Sequence, residues 1–102
     1  MNKKKIIIKK LLWNEKNIAH IALHNILPSE VEEVCYGERI ERKGYKNRAF
    51  LVGSTQQGRM LSVILDPTDE KEVYFPVTAY DASKRSIKDY EDEKRVGGEE
   101  AA

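Results

Sequence analysis

The stretch from Met60 to Asp66, MLSVILD, limits what this chain can fold into more than any other. Met60 and Ile64 fall on one of its alternating sides and Leu61, Val63 and Leu65 on the other. Both sides are apolar, as in a strand covered on both faces, so the stretch predicts the middle of a sheet. Polar residues from Ser54 to Gln57 and then Gly58 separate it from an apolar run at Ala49 to Ser54 and read as a hairpin loop. The turn composition DPTDEKE leads from it into Val73 to Ala79, completing a three-strand meander. Pro76 cannot donate to a ladder, which places that last strand at an edge or on a bulge.

The flanks supply helices. Lys5 to Trp13 is a short, lysine-guarded edge strand. Asn14 is an N-cap, and Ile18, Ile21 and Ala22 recur at helical spacing, with Asn25 closing the helix. Pro28 and Ser29 open a second helix, with Ser29 as cap, Glu32 in the capping-box position, and Val31, Val34 and Cys35 as its buried stripe. Glu38 to Lys43 alternates weakly and reads as another edge strand, joined to Ala49 by the turn at Gly44 to Asn47. From Ala82, with Ser83 as cap, a highly charged helix runs to about Arg95 on a thin apolar face of Ile87 and Tyr90. The expected fold is a two-layer α+β domain, with an antiparallel sheet of 3–5 strands, two N-terminal helices and one C-terminal helix.

At 102 residues the chain supports one hydrophobic core, expected over 1–96, with 97–102 as a flexible tail. Its 18 basic residues nearly balance 17 acidic ones, so net charge gives no indication of a globally basic nucleic-acid binder. A single cysteine rules out an internal disulfide and fits a reducing compartment, with the cytoplasm as the expected location. The apolar run Ile6 to Ile8 is too short for a membrane span or a signal-peptide core, so no membrane association is expected.

His20 and His24 lie four apart on one helix, a spacing that sets two imidazoles on one face, but no acidic third ligand follows. No metal site is therefore expected. Cys35 falls on a buried stripe and reads as core. GSTQQG lacks the Lys-Ser/Thr and helix of a phosphate loop, and no serine has nucleophile-elbow glycines around it. What remains is a basic set comprising Arg39, Arg42, Lys43, Lys46, Arg48, Arg59, Lys84 and Arg85, interleaved with Tyr45, Tyr74 and Tyr80. Guanidinium forks engage phosphates and tyrosines stack on splayed bases, which suits RNA; a solvated charged face has the same composition.

Several residues carry a resemblance. Trp13, Asn14, Glu15, Asn17, His20 and His24 form a W-[DN]-E…N…H opening, Glu30, Val31 and Val34 follow on the second helix, and Arg48, Gly53, Gly58 and Arg59 fit R-x-x-x-x-G-x-x-x-x-G-R ahead of MLSVIL. From Trp13 to about Tyr90 the chain resembles the BrnT family of toxin ribonucleases, from type II toxin–antitoxin modules with a RelE-like fold. The resemblance implies metal-independent and cofactor-free endoribonuclease activity and two partners, RNA and a small cognate antitoxin. It points to His24 for proton transfer, Arg48 and Arg59 for phosphate charge, Tyr80 as an acid or stacking residue, and Lys43, Lys46, Lys84 and Arg85 for RNA binding. It requires His24, Arg48 and Arg59 to line one groove. Where the family has arginine after Val-Thr-Ala this chain has Tyr80, and Ser86 stands where the family carries an acid. The alternative is accordingly a catalytically silent relative that binds RNA or a protein through the same face.

Overall fold

A computed structural model describes residues 5–101, with side chains through residue 95. The elements are β1 (Lys10–Leu11), α1 (Glu15–Ala22), α2 (Pro28–Tyr36), β2 (Arg39–Lys43), β3 (Ala49–Ser54), β4 (Met60–Pro67), β5 (Val73–Asp81) and α3 (Lys84–Ala101). The strands form one sheet in the order β1-β5-β4-β3-β2, with β4 in the middle. Leu61, Val63 and Leu65 are each 0% exposed, as their position in the doubly apolar stretch requires.

The sheet is mixed. β2 to β5 pair antiparallel, but β1 runs parallel to β5 through Lys10–Val73 and Leu11–Tyr74, because β2 leaves α1 and α2 running opposite to β1 and the three reversals of the meander bring β5 back to the direction of β1. A second correction concerns layering. Leu51, Leu61, Val63, Leu65 and Ala79 point to a core shared with Ile21, Ile26, Val31, Val34 and Cys35 of the α1–α2 region. Ile40, Val52 and Tyr90 form a second cluster, with Phe50 and Met60 against it. The alternate residues of β3 thus enter different cores, and α3 lies on the face opposite α1 and α2. Helices on both sides replace the expected two layers.

Local chemistry explains the helix limits. Asn14 and Asn17 cap α1 reciprocally, each side-chain oxygen accepting the other's backbone N–H at 2.9 Å. The cap of α2 lies two residues earlier than expected, at Leu27 rather than Ser29, with Glu30 Oε1 accepting the Leu27 N–H at 3.0 Å. Ser83 caps α3 as expected, accepting the Ser86 N–H. The side chains of the segment expected as a tail lie outside the described residues, and its backbone continues α3 through Ala101. The predicted α1 stripe is only partly right: Ile21 is buried, whereas Ile18 and Ala22 face solvent.

Asn17 takes their place. Its Nδ2 donates to the Leu12 carbonyl at 3.0 Å and to the Pro76 carbonyl at 3.1 Å, joining α1 to the edge of β5 beyond the end of β1. Opposite, the β4–β5 register shifts between Ile64 and Leu65, so the bulge expected at Pro76 is present. Asn17→Ala removes a cap and leaves a buried carbonyl unpaired. It should lower stability in urea melts by about 1–3 kcal/mol, and an unchanged midpoint would show that the bridge contributes nothing.

Candidate functional site

Among the expected catalytic residues, three meet at one end of the sheet. His24 lies in the turn after α1, where Asn25 adopts a left-handed φ of 59°. Its ring centroid is 6.2 Å from that of His20 and 6.3 Å from that of Tyr80, both in edge-to-face geometry at interplanar angles of 69° and 62°. The turn sets the first spacing, the His24 N–H donating to the Ile21 carbonyl at 2.9 Å and so folding His24 back toward the end of α1, and β5 brings Tyr80 to the same rim. Both imidazoles are exposed.

Arg59 fastens this rim. From the start of β4 its Nε donates to Asp81 at 2.9 Å, Nη1 to the Asn25 carbonyl at 2.7 Å, and Nη2 to the His24 carbonyl at 3.1 Å. Glu30 is a further partner at 3.3 Å. The Asp81 hydrogen bond and then its charge, with Glu30 adding to both, hold the guanidinium above its usual range despite some desolvation. With its fork committed to the turn, Arg59 positions the backbone of His24 rather than offering a free charge to phosphate.

Arg48 does not join them. Met60 pairs with Ser54, whereas Arg48 precedes the Ala49–Leu65 pair at the other end of the same hairpin. Six residues of strand separate the two ends, about 20 Å. Its Nε instead donates to Asp66 at 2.7 Å. The expectation that His24, Arg48 and Arg59 line one groove is therefore corrected: the meander that positions Arg59 beside α1 carries Arg48 away.

The RNA-binding candidates divide in the same way. Lys84 and Arg85 open α3 just after the Arg59 end, where the Ala82 N–H donates to the Met60 carbonyl. Lys43 and Lys46 flank the far turn, where Lys46 and Asn47 take left-handed φ values of 58° and 65°. Lys43, Lys46 and Lys84 make no ion pair among the described residues. In the sequence His20 stands in the rejected metal pair and in the W-[DN]-E…N…H opening, without a catalytic role of its own. Its spacing from His24 was visible, but the third ring at Tyr80, which makes the pair part of a non-metal site, depended on tertiary structure.

Cys35 is buried, and desolvation, barely offset by nearby Arg39, pushes its thiol from 9.0 to about 12. It should resist alkylation in the folded state near neutrality, and stability should fall as pH rises from 9 toward 12, because only the unfolded thiol ionises in that window. Rapid native-state labelling, without global opening detectable by hydrogen exchange, would contradict this.

No group of three or more His, Cys, Asp or Glu among the described residues is placed to hold a metal, and no described helix is long and apolar enough to cross a membrane. Fold and rim define a small α+β domain with a row of two exposed imidazoles and the half-buried phenol of Tyr80. Neither protein-family models, curated proteins nor solved structures give a match to the chain.

Proposed function

We propose that the chain is a metal-independent endoribonuclease of the BrnT-like, RelE-like toxin type, neutralised by a small antitoxin, with its chemistry at the His20–His24–Tyr80 rim. The supporting observation is the row itself: two exposed imidazoles with centroids 6.2 Å apart, close enough for both to reach one phosphodiester. One imidazole removes the ribose 2′-OH proton, and the 2′-oxygen attacks phosphorus. The phosphorus–5′-oxygen bond breaks, and the second imidazole or the Tyr80 hydroxyl protonates the departing oxygen. The products are a 2′,3′-cyclic phosphate and a 5′-hydroxyl. Imidazole suits both transfers because its ordinary titration lies near neutrality. Lys84 and Arg85, at the same end of the sheet, supply charge for the phosphate.

The direct test is incubation of purified protein with single-stranded RNA in EDTA. Cleavage to cyclic-phosphate ends, abolished by a 2′-deoxy substitution at the cut site, supports the reading; intact RNA at high enzyme concentration overturns it. A second reading is favoured by the pairing of Arg59 with Asp81 and Glu30 and of Arg48 with Asp66, which occupies both arginines expected at the phosphate. In that case the chain is a silent relative that retains RNA or protein binding. Cleavage by Tyr80→Arg but not by the wild type would select it, since arginine there sets a guanidinium next to His24.

A further inference from the structure

Among the described residues, helix covers the outer face of the sheet only over β2 and β3. α3 packs on β2 and β3, crossing from the end of β5 toward the β2 edge, where Arg42 pairs with Glu93 and Lys94 with Glu38. Pairing registers put Tyr80 beside Ser62, Thr78 beside Ile64, Phe75 beside Asp66 and Phe50 beside Ile64, all on the side facing away from α1 and α2. Tyr80, Thr78, Ile64, Phe75 and Phe50 are all half-buried, and Phe75 belongs to neither core cluster.

This uncovered strip connects the two basic ends. At one end are Tyr80, the histidines and Lys84. At the other, Arg48 bound to Asp66 anchors the Tyr45–Asn47 turn, which is closed by the Gly44 N–H donating to the Arg48 carbonyl and the Arg48 N–H donating to the Tyr45 carbonyl. Tyr45 is 79% exposed, with the Lys46 ammonium 5.6 Å from its ring centroid. An exposed aromatic beside a cation, on a turn holding two left-handed non-glycine residues, is a costly arrangement for a loop that only connects strands.

We infer that the uncovered face from Tyr80 through Phe75 to Tyr45 is a track for single-stranded RNA, and that substrates must be long enough to reach from the histidine rim to the Tyr45 turn. The inference rests on the ribonuclease or RNA-binding reading above and adds the substrate class. Bases stack on the aromatic rings, which is tolerant of sequence, while Lys46 at one end and Lys84 at the other meet phosphates. The acids on the strip do not oppose this, since Asp66 is neutralised by Arg48. A separation of at least about 20 Å corresponds to roughly six stacked nucleotides at about 3.4 Å each. A duplex cannot use the track, because its bases are already stacked on one another.

Fluorescence anisotropy with a 4-nucleotide strand, a 12-nucleotide strand and a 12-base-pair RNA duplex tests this. The catalytic step is silenced by a 2′-deoxy backbone at the cut site, and Tyr45→Ala and Tyr45→Phe are compared with wild type. The wild type should prefer the 12-mer strand to both other ligands. Tyr45→Ala should weaken 12-mer binding roughly tenfold, the effect of losing one stacking partner, and Tyr45→Phe should restore it. Circular dichroism melts confirm that each variant is folded. Two results overturn the track while leaving RNA binding intact: 12-mer affinity indifferent to Tyr45→Ala, or a duplex bound as tightly as the strand. Absence of binding to any RNA at low salt overturns both the track and the reading beneath it.

Discussion

His24→Ala should lower RNA cleavage by about two to four orders of magnitude, the range for a positioned proton-transfer group, without shifting the melting temperature, because the side chain is exposed and packs only at the rim. Arg59→Ala should behave differently. Removing the fork that joins Asp81, Glu30 and the carbonyls of His24 and Asn25 frees the turn, so activity and stability should fall together. A loss of about 1 kcal/mol moves the midpoint of a domain this size by roughly 4–8 °C. Lysine, with one compact ammonium, cannot span the same groups, so Arg59→Lys should not restore the rim. Steady-state kinetics alongside melts separates the cases: loss of activity with an unchanged melting temperature in Arg59→Ala would return Arg59 to direct phosphate contact.

The largest stability effect is expected at Leu61→Ala. The side chain is 0% exposed in the core beneath α1 and α2, and its strand is flanked on both sides, so the cavity has little room to collapse. Its cost should be about 2–5 kcal/mol in denaturant melts. Arg48→Ala, which removes a half-exposed ion pair with Asp66, should cost less than about 1 kcal/mol. Similar losses from the two would mean that inside and outside had been confused along the hairpin. Ile64 is the weaker probe, since it lies on the uncovered outer face.

Period and turn chemistry made the meander legible from residues alone. β3 spans Ala49–Ser54 and β4 begins at Met60, as alternation and the loop at Gly58 imply, and Gly58 has the positive φ of 91° that such a turn demands. The second side of the sheet was less visible, because α3 offers few apolar side chains and only its contact with β2 and β3 shows where it lies. The motif residues are instructive in another way. Trp13 donates to Glu32, Asn14 and Asn17 cap each other, and Arg48 and Arg59 are tied to acids. At Gly53 a Cβ would stand 2.8 Å from the Glu38 carbonyl oxygen and 3.1 Å from Val34, so glycine lets α2 approach β3. Most of the pattern that suggested a ribonuclease thus builds the scaffold, with His20 and His24 among the few of its side chains left exposed. Arg48 was misplaced because spacing along a chain does not reveal which end of a hairpin a side chain reaches.

The bridge from Asn17 to Pro76 has a consequence for synthesis. It joins residues 59 apart, and β1 likewise finds its partner only in β5. Contacts so distant in sequence form late, after nearer pairings are in place. A nascent chain on the ribosome that has exposed both histidines, but not yet the strand from Val73 to Asp81, has no edge on which to seat α1 and no Tyr80 beside it. The rim therefore comes into being only after the strand from Val73 to Asp81 has been made and paired.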